Sequence, residues 1–140
     1  MTRIRMTALA ELALAVALLL SPTCKRPNLP PDTPCKPFGP THTNVGISRM
    51  YAASSIDPDG DNTSCRFYFG NGDTSNWGNW TDSRGPSSAW YAFPLPGTFR
   101  VSAQGRDVHG ALSTWSDSYP VAVCDSAFGV LDSPKARNRD

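Results

Sequence analysis

The apolar positions of this chain fall into short alternating runs. Phe99, Val101, Ala103 and Gly105 alternate with Arg100, Ser102, Gln104 and Arg106. A period of two puts one set inward and the other outward, so this run predicts a half-buried strand. Cys65, Phe67 and Phe69 repeat the pattern, with Arg66 and Tyr68 on the other face. That run stops at Gly70-Asn71-Gly72, where residues tolerant of positive φ permit a tight turn. Val45 to Ser54 predicts a strand with Val45, Ile47, Tyr51 and Ala53 inward. Arg49 shares that face and is expected at the rim with its stem buried. Ala89, Tyr91 and Phe93 alternate with Trp90 and Ala92, and Tyr119, Val121 and Val123 mark the last strand, within Leu112 to Val123. Trp77 to Thr81 reads as a short strand or an irregular edge. Pro37 to Pro40 is expected along the domain edge as the first strand, where proline is tolerated.

Turn-forming clusters separate these runs at Ser55 to Asn62, Pro94 to Gly97 and Asp107 to Gly110. No helical periodicity is sustained after the first twenty or so residues, and no internal repeat is visible. About seven short strands at this spacing predict an all-β chain, an antiparallel immunoglobulin-like β-sandwich. The expected organisation is a signal segment over 1–23, a proline-rich linker over 24–36, the sandwich domain over 37–124, and a disordered tail over 125–140.

The start of the chain points to export. Arg3 and Arg5 precede an apolar run from Leu12 to Leu20, a charged region followed by a hydrophobic one, as in a secretory signal. The run is shorter than the ~20 apolar residues a spanning helix needs. Cys24 follows closely, and a cysteine in this place resembles a bacterial lipoprotein signal, in which it becomes the lipidated first residue. Ser21 stands where such signals usually carry Leu, with Pro22 next. Lipidation of Cys24 and ordinary cleavage nearby are both open, and both mean export to a cell surface, a membrane anchor or the medium. Six of the fourteen residues from Pro27 to Pro40 are proline. Proline fixes φ and removes a donor, so the linker is expected to be extended, largely unpaired, and long enough to hold the domain a few nanometres from its attachment.

Composition removes some functions. A formal net charge of +1 on 140 residues, with no evidently basic face, gives no case for nucleic-acid binding. Contact with a membrane is expected only through a lipid on Cys24.

Four stretches keep a recognisable order: Asp57-Pro-Asp-Gly-Asp61, Phe67-Tyr-Phe-Gly-Asn-Gly72, Tyr91-Ala-Phe-Pro-Leu-Pro-Gly-Thr-Phe-Arg-Val101, and Asp107-Val-His-Gly110. Together they resemble the motifs of PKD domains over roughly Pro37 to Val123. The chain departs from that pattern at Phe67 for Trp, Tyr68 for Asp, Asn71 for Asp and Phe99 for Tyr. The resemblance implies a β-sandwich on an extracellular protein that serves as a spacer or a binding module and not as a catalyst. A self-associating adhesion or structural surface protein is the alternative, and a small hydrolase comes behind both.

Several residues are candidates for chemistry. Asp57, Asp59 and Asp61 alternate through a tight turn and offer hard oxygen ligands that suit structural calcium; the family resemblance implies the same for some members. The competing reading is an Asx-rich turn whose carboxylates hold backbone N–H groups. Tyr68, Trp80 and Trp90 lie on outward phases and are candidates for stacking on a glycan or anchoring a surface protein. Trp77 and Trp115 are expected to cap or edge the sandwich. His42 and His109 are the only histidines, and neither sits in a nucleophile elbow or a metal motif. Export permits disulfides, and Cys35–Cys65 is the first pair to test, because Cys35 starts the first strand near the pole where Cys65 begins its own. Cys124 is expected at the other pole. Cys24, if unmodified, can instead pair with Cys35, and Cys65 can simply be a small buried hydrophobe.

Overall fold

The computed structural model describes residues 26–125. The signal segment, Cys24 and the tail beyond Asp125 lie outside the described residues. Seven strands follow one another: β1 (His42–Asn44), β2 (Arg49–Ser54), β3 (Thr63–Tyr68), β4 (Pro86–Tyr91), β5 (Gly97–Asp107), β6 (Leu112–Trp115) and β7 (Tyr119–Cys124). One sheet has the order β1-β7-β5-β3, with β6 also on β5, and the other pairs β2 with β4. All pairings are antiparallel except that of β1 with β7, which is parallel and sets His42 opposite Ala122.

The alternating runs explain the core. Cys65, Phe67, Val101, Ala103, Val121 and Val123 come from the larger sheet; Tyr51 and Ala53 come from the smaller one. Phe69 and Phe93 fill the space between, just beyond the ends of β3 and β4. Phe69 stacks on Tyr91 with centroids 3.8 Å apart and meets Tyr51 and Phe93 edge-on. Burying each large side chain contributes about 1.5–3 kcal/mol. Gly70 follows Phe69 at φ +78°, and a Cβ there would stand 2.7 Å from the Arg100 nitrogen and 2.8 Å from its oxygen. The turn after Phe69 thus presses against the backbone of β5, which only glycine allows.

The edges differ from expectation. Val45 to Ile47 is a turn, with Gly46 at φ +75° and the Ile47 N–H on the Asn44 carbonyl. Strand β2 therefore starts only at Arg49. Val45 packs half-buried against the core, while Ile47 is 44% exposed and Arg49 is exposed, donating from Nε to Thr43 Oγ1. Trp77 to Thr81 is irregular, tied to β3 by an isolated bridge between Thr81 and Thr63.

The proline-rich stretch is paired, contrary to the expectation of an open spacer. The N–H groups of Asp32, Cys35 and Phe38 donate to the carbonyls of Ile56, Ser54 and Ala52 along the edge of β2. Pro31, Pro34 and Pro37 are buried. A three-residue period is that of a polyproline II segment, so one face carries the prolines inward while the three N–H groups meet the strand. Thr33 reaches across to Thr114 on β6, so the segment closes the open side between the two sheets. The chain then changes sheet. Phe38 bridges Ala52, and after Gly39-Pro40 the backbone pairs with β7 instead. A Cβ on Gly39 would lie 2.7 Å from Tyr51 Cδ1, so the crossover fits only a glycine.

Candidate functional site

The outer face of the larger sheet carries an alternating stack of rings and guanidinium groups. Arg66 projects outward from β3, and Arg106 from β5, by the same alternation that buries Phe67 and Gly105. The Arg66 guanidinium lies over Trp77 at 4.9 Å and over Trp115 at 5.5 Å. Arg106 lies over Trp77 at 4.5 Å and over Trp80 at 4.9 Å. Tyr68 meets Trp115 edge-on at 6.4 Å. The order across the face is Trp80, Arg106, Trp77, Arg66, Trp115, Tyr68. Gln104, opposite Arg66 in register, accepts from both Arg66 Nε and Nη2 and fixes that guanidinium. Each such contact is worth about 0.5–1 kcal/mol when exposed. Trp77 and Trp115 thus cover the sheet face from within a stack.

This arrangement separates the three aromatics singled out above. Tyr68 and Trp80 sit at opposite ends of the stack, each with one partner already in place. Trp90 stands apart, on β4 of the smaller sheet. It is 68% exposed, and among the described residues no ring or cation stacks on it.

Trp90 forms the lip of a shallow cleft of about 410 Å³ between β4 and the irregular stretch from Thr74 to Asn79. Trp77, Asn76, Asn79, Ser88 and Tyr91 also line it. The local fold builds the cleft: Gly78 N–H donates to the Cys65 carbonyl, and Ser87 Oγ donates to the Asn79 carbonyl, which pins the stretch beside β4. A Cβ at Gly78 would stand 2.3 Å from Ser87 Oγ, so the stretch could come no closer. At the upper end, Tyr91 and Asp73 share a short hydrogen bond, and Asn71 Nδ2 donates to the Tyr91 hydroxyl. Burial first and the Asp73 contact second raise the Tyr91 pKa. The cleft therefore offers one uncovered indole, that of Trp90, with amides and hydroxyls beside it, while the Trp77 ring is already held by Arg66 and Arg106.

The three aspartates of the 57–61 turn do not converge. Asp57 Oδ1 accepts the N–H groups of Asp59 and Asp61. Asp59 Oδ2 accepts the Leu29 N–H, and Asp61 Oδ2 lies 3.3 Å from His109 Nε2. Asp57 Oδ2 is buried without a hydrogen-bond partner, yet no set of three acidic, histidine or cysteine side chains among the described residues is placed to hold one ion. These carboxylates do not fit a shared calcium; the Asx-turn reading accounts for their contacts. The 107–111 turn is built the same way. Asp107 Oδ1 accepts from His109 and Ala111, and Gly110, like Gly60, has positive φ and donates its N–H to the carbonyl of the aspartate three residues before.

Among the described residues Cys35, Cys65 and Cys124 are not joined to one another, so the structure holds no Cys35–Cys65 bridge, and Cys24 lies outside those residues. Cys35 is exposed and its Sγ turns to Ser54, accepting that residue's N–H at 3.3 Å, whereas Cys65 points into the core. Burial, then the neighbouring Cys35, pushes the Cys65 thiol up to about 12, which keeps it protonated and inert.

No protein-family model matches the sequence, and no curated protein does. Among solved structures, the PKD domain of an M14-like peptidase from Thermoplasmatales archaeon SCGC AB-540-F20 superposes with a TM-score of 0.60 at 29% identity, covering 69% of this chain and 98% of that domain. The chain carries a PKD-like domain. A CARDB domain of the PF1109 protein from Pyrococcus furiosus, solved in complex with di-metal ions, shares 16% identity over 66% of this chain and 93% of its own, with a TM-score of 0.46. PKD-like domains are in general non-catalytic modules of extracellular proteins. Within this PKD-like domain the departures in sequence have visible effects. Phe67 keeps the core position, fully buried. Tyr68, where the family has an acid, points outward to Trp115. Asn71 serves its turn as an acceptor for the Asp73 N–H and as a donor to Tyr91.

Proposed function

We propose that this PKD-like domain is an exported, non-catalytic surface module that binds a polysaccharide in the cleft beside Trp90. The observation that carries the reading is the exposed Trp90 ring at the lip of a cleft lined by Trp77, Asn76, Asn79 and Ser88. The C–H face of a sugar stacks on an indole, and amides and hydroxyls pair with its hydroxyl groups. Stacking from Trp90 needs no rearrangement, whereas Tyr68 and Trp80 are already engaged at the ends of the cation–π stack. Affinity electrophoresis against isolated cell-surface polysaccharides tests the reading. Trp90→Ala should abolish retardation with an unchanged melting temperature, and a folded wild-type domain retarded by none of them would remove it.

The same reading places the domain at a membrane surface through a lipid on Cys24. Support comes from the charged start, the Leu12 to Leu20 run and the cysteine that follows. Palmitate labelling of the full chain should be lost in Cys24→Ser; equal labelling of both sinks the anchor.

A further inference from the structure

The chain enters the domain at one pole and is fastened there at once. Asn28 Nδ2 donates to Asp107 Oδ2, and the Leu29 N–H donates to Asp59 Oδ2. These contacts tie the first described residues to the 57–61 and 107–111 turns, which themselves meet through His109 and Asp61. Pairing then continues without a gap along β2 from Asp32. Only three residues, 25–27, stand between Cys24 and Asn28, the first fastened residue, a span of at most about 14 Å when fully extended.

The same pole exposes large apolar side chains. Leu29 is 41%, Ile56 44%, Val108 49% and Leu112 48% exposed. Val108 belongs to one of the two turns, Ile56 and Leu112 adjoin them, and Leu29 is bonded to the other. Lys25 and Arg26 directly follow Cys24 and suit an anionic lipid surface. Of the acids at this pole Asp61 pairs with His109, while Asp32, Asp59 and Asp82 are exposed, so the apolar side chains and the two basic residues of the tether carry the attraction. The headgroup region is only about 5–7.5 Å deep on each side of the hydrocarbon. A tether this short holds the pole against that region.

We propose that this pole, with Leu29, Ile56, Val108 and Leu112, is seated on the lipid surface from which the chain emerges. The proposal rests on the reading that Cys24 is lipidated, and it turns the expected spacer into a close mount. The domain stands on the membrane by its two Asp turns, and the pole with the Pro94–Gly97 turn, Leu95 included, faces away.

Site-specific photocrosslinking tests this on the full, lipid-modified chain in vesicles of phosphatidylethanolamine and phosphatidylglycerol. p-Benzoylphenylalanine is placed at position 108, at position 29, or at position 95, each an exposed site whose replacement should leave the melting temperature unchanged. Phospholipid adducts at 108 and 29 should exceed those at 95 at least tenfold. Equal yields at the two poles, or none at 108 with the chain still in the membrane fraction, overturn the proposal while leaving the anchor intact. Adducts at 108 to a second copy of the chain overturn it in favour of self-association. Wild-type chain absent from the membrane fraction overturns the anchor and the seating together.

Discussion

Asp57 and Asp107 hold the same turn twice, each carboxylate oxygen Oδ1 taking the N–H groups two and four residues ahead. The two turns lie side by side, linked by Asp61 and His109. Asp107 is the more committed of the pair, because its Oδ2 also takes Asn28. Asp107→Ala leaves three donors without an acceptor and should cost about 2–4 kcal/mol, against about 1–3 for Asp57→Ala. Urea denaturation of both variants checks the order; a larger loss at Asp57 would contradict it.

The same carboxylate makes acid stability predictable. Burial alone would raise the Asp107 pKa, but hydrogen bonds from Asn28 and from the amides of Ala111, His109 and Gly110 outweigh it and hold the group below the ordinary range. A lowered folded pKa means that the unfolded chain takes the proton first. The contribution is then fully present above the unfolded value of about 3.9 and is lost as pH falls through the folded value. Melting curves taken from about pH 6 down to about pH 2 should fall steeply only below about pH 4, and Asp107→Asn should flatten that fall.

Glycines 70 and 72 flank Asn71 and both have positive φ, yet they should respond differently. An added Cβ at Gly70 meets the Arg100 backbone, while at Gly72 nothing lies within 4 Å. Gly72→Ala should cost about 1 kcal/mol for its conformation alone, and Gly70→Ala at least about 2 kcal/mol more, since backbone cannot move aside as a side chain can. Thermal unfolding of the two variants distinguishes them.

Trp77 and Trp90 line one cleft but do different work. Trp77 lies between Arg66 and Arg106, and Trp77→Ala should cost about 1–3 kcal/mol through lost cation–π and packing contacts. Trp90→Ala should stay within about 0.5 kcal/mol of wild type. Paired denaturation curves decide this, and a large loss at Trp90 would mean that the ring is structural.

The inward residues of β3 and β5 were readable because each strand has one buried and one solvated face, and a period of two reports that directly. Phe67, Phe69, Val101 and Ala103 all fall in the core as alternation requires. Pro31, Pro34 and Pro37 carried an equally regular signal at a period of three, which a strand template does not detect. Ile47 misled because alternation continues through Gly46 into a turn, where the backbone reverses and the inward phase ends. The cation–π stack had no local signature at all. Arg66 and Arg106 are forty residues apart in sequence, and only the β3–β5 register puts them on one face with Trp77 and Trp115. Trp90 and Trp80 were equally outward by phase, and only the fold shows which ring is still free.

The parallel pair β1–β7 has a mechanical consequence. His42 to Asn44 run beside Ala122 to Cys124 in the same direction, and the Ala122 and Val45 N–H groups close the ladder on the Thr41 and Cys124 carbonyls. Tension along the chain is met first by the 28–38 stretch fastened along β2, and once that stretch is freed it pulls β1 and β7 past each other lengthwise, loading their hydrogen bonds together instead of one after another. Force applied through the termini should thus meet a shear lock, and single-molecule pulling should need a clearly higher force there than when β7 is drawn sideways from position 120. A module mounted at a surface would then yield in two steps, the edge stretch first and the parallel pair last.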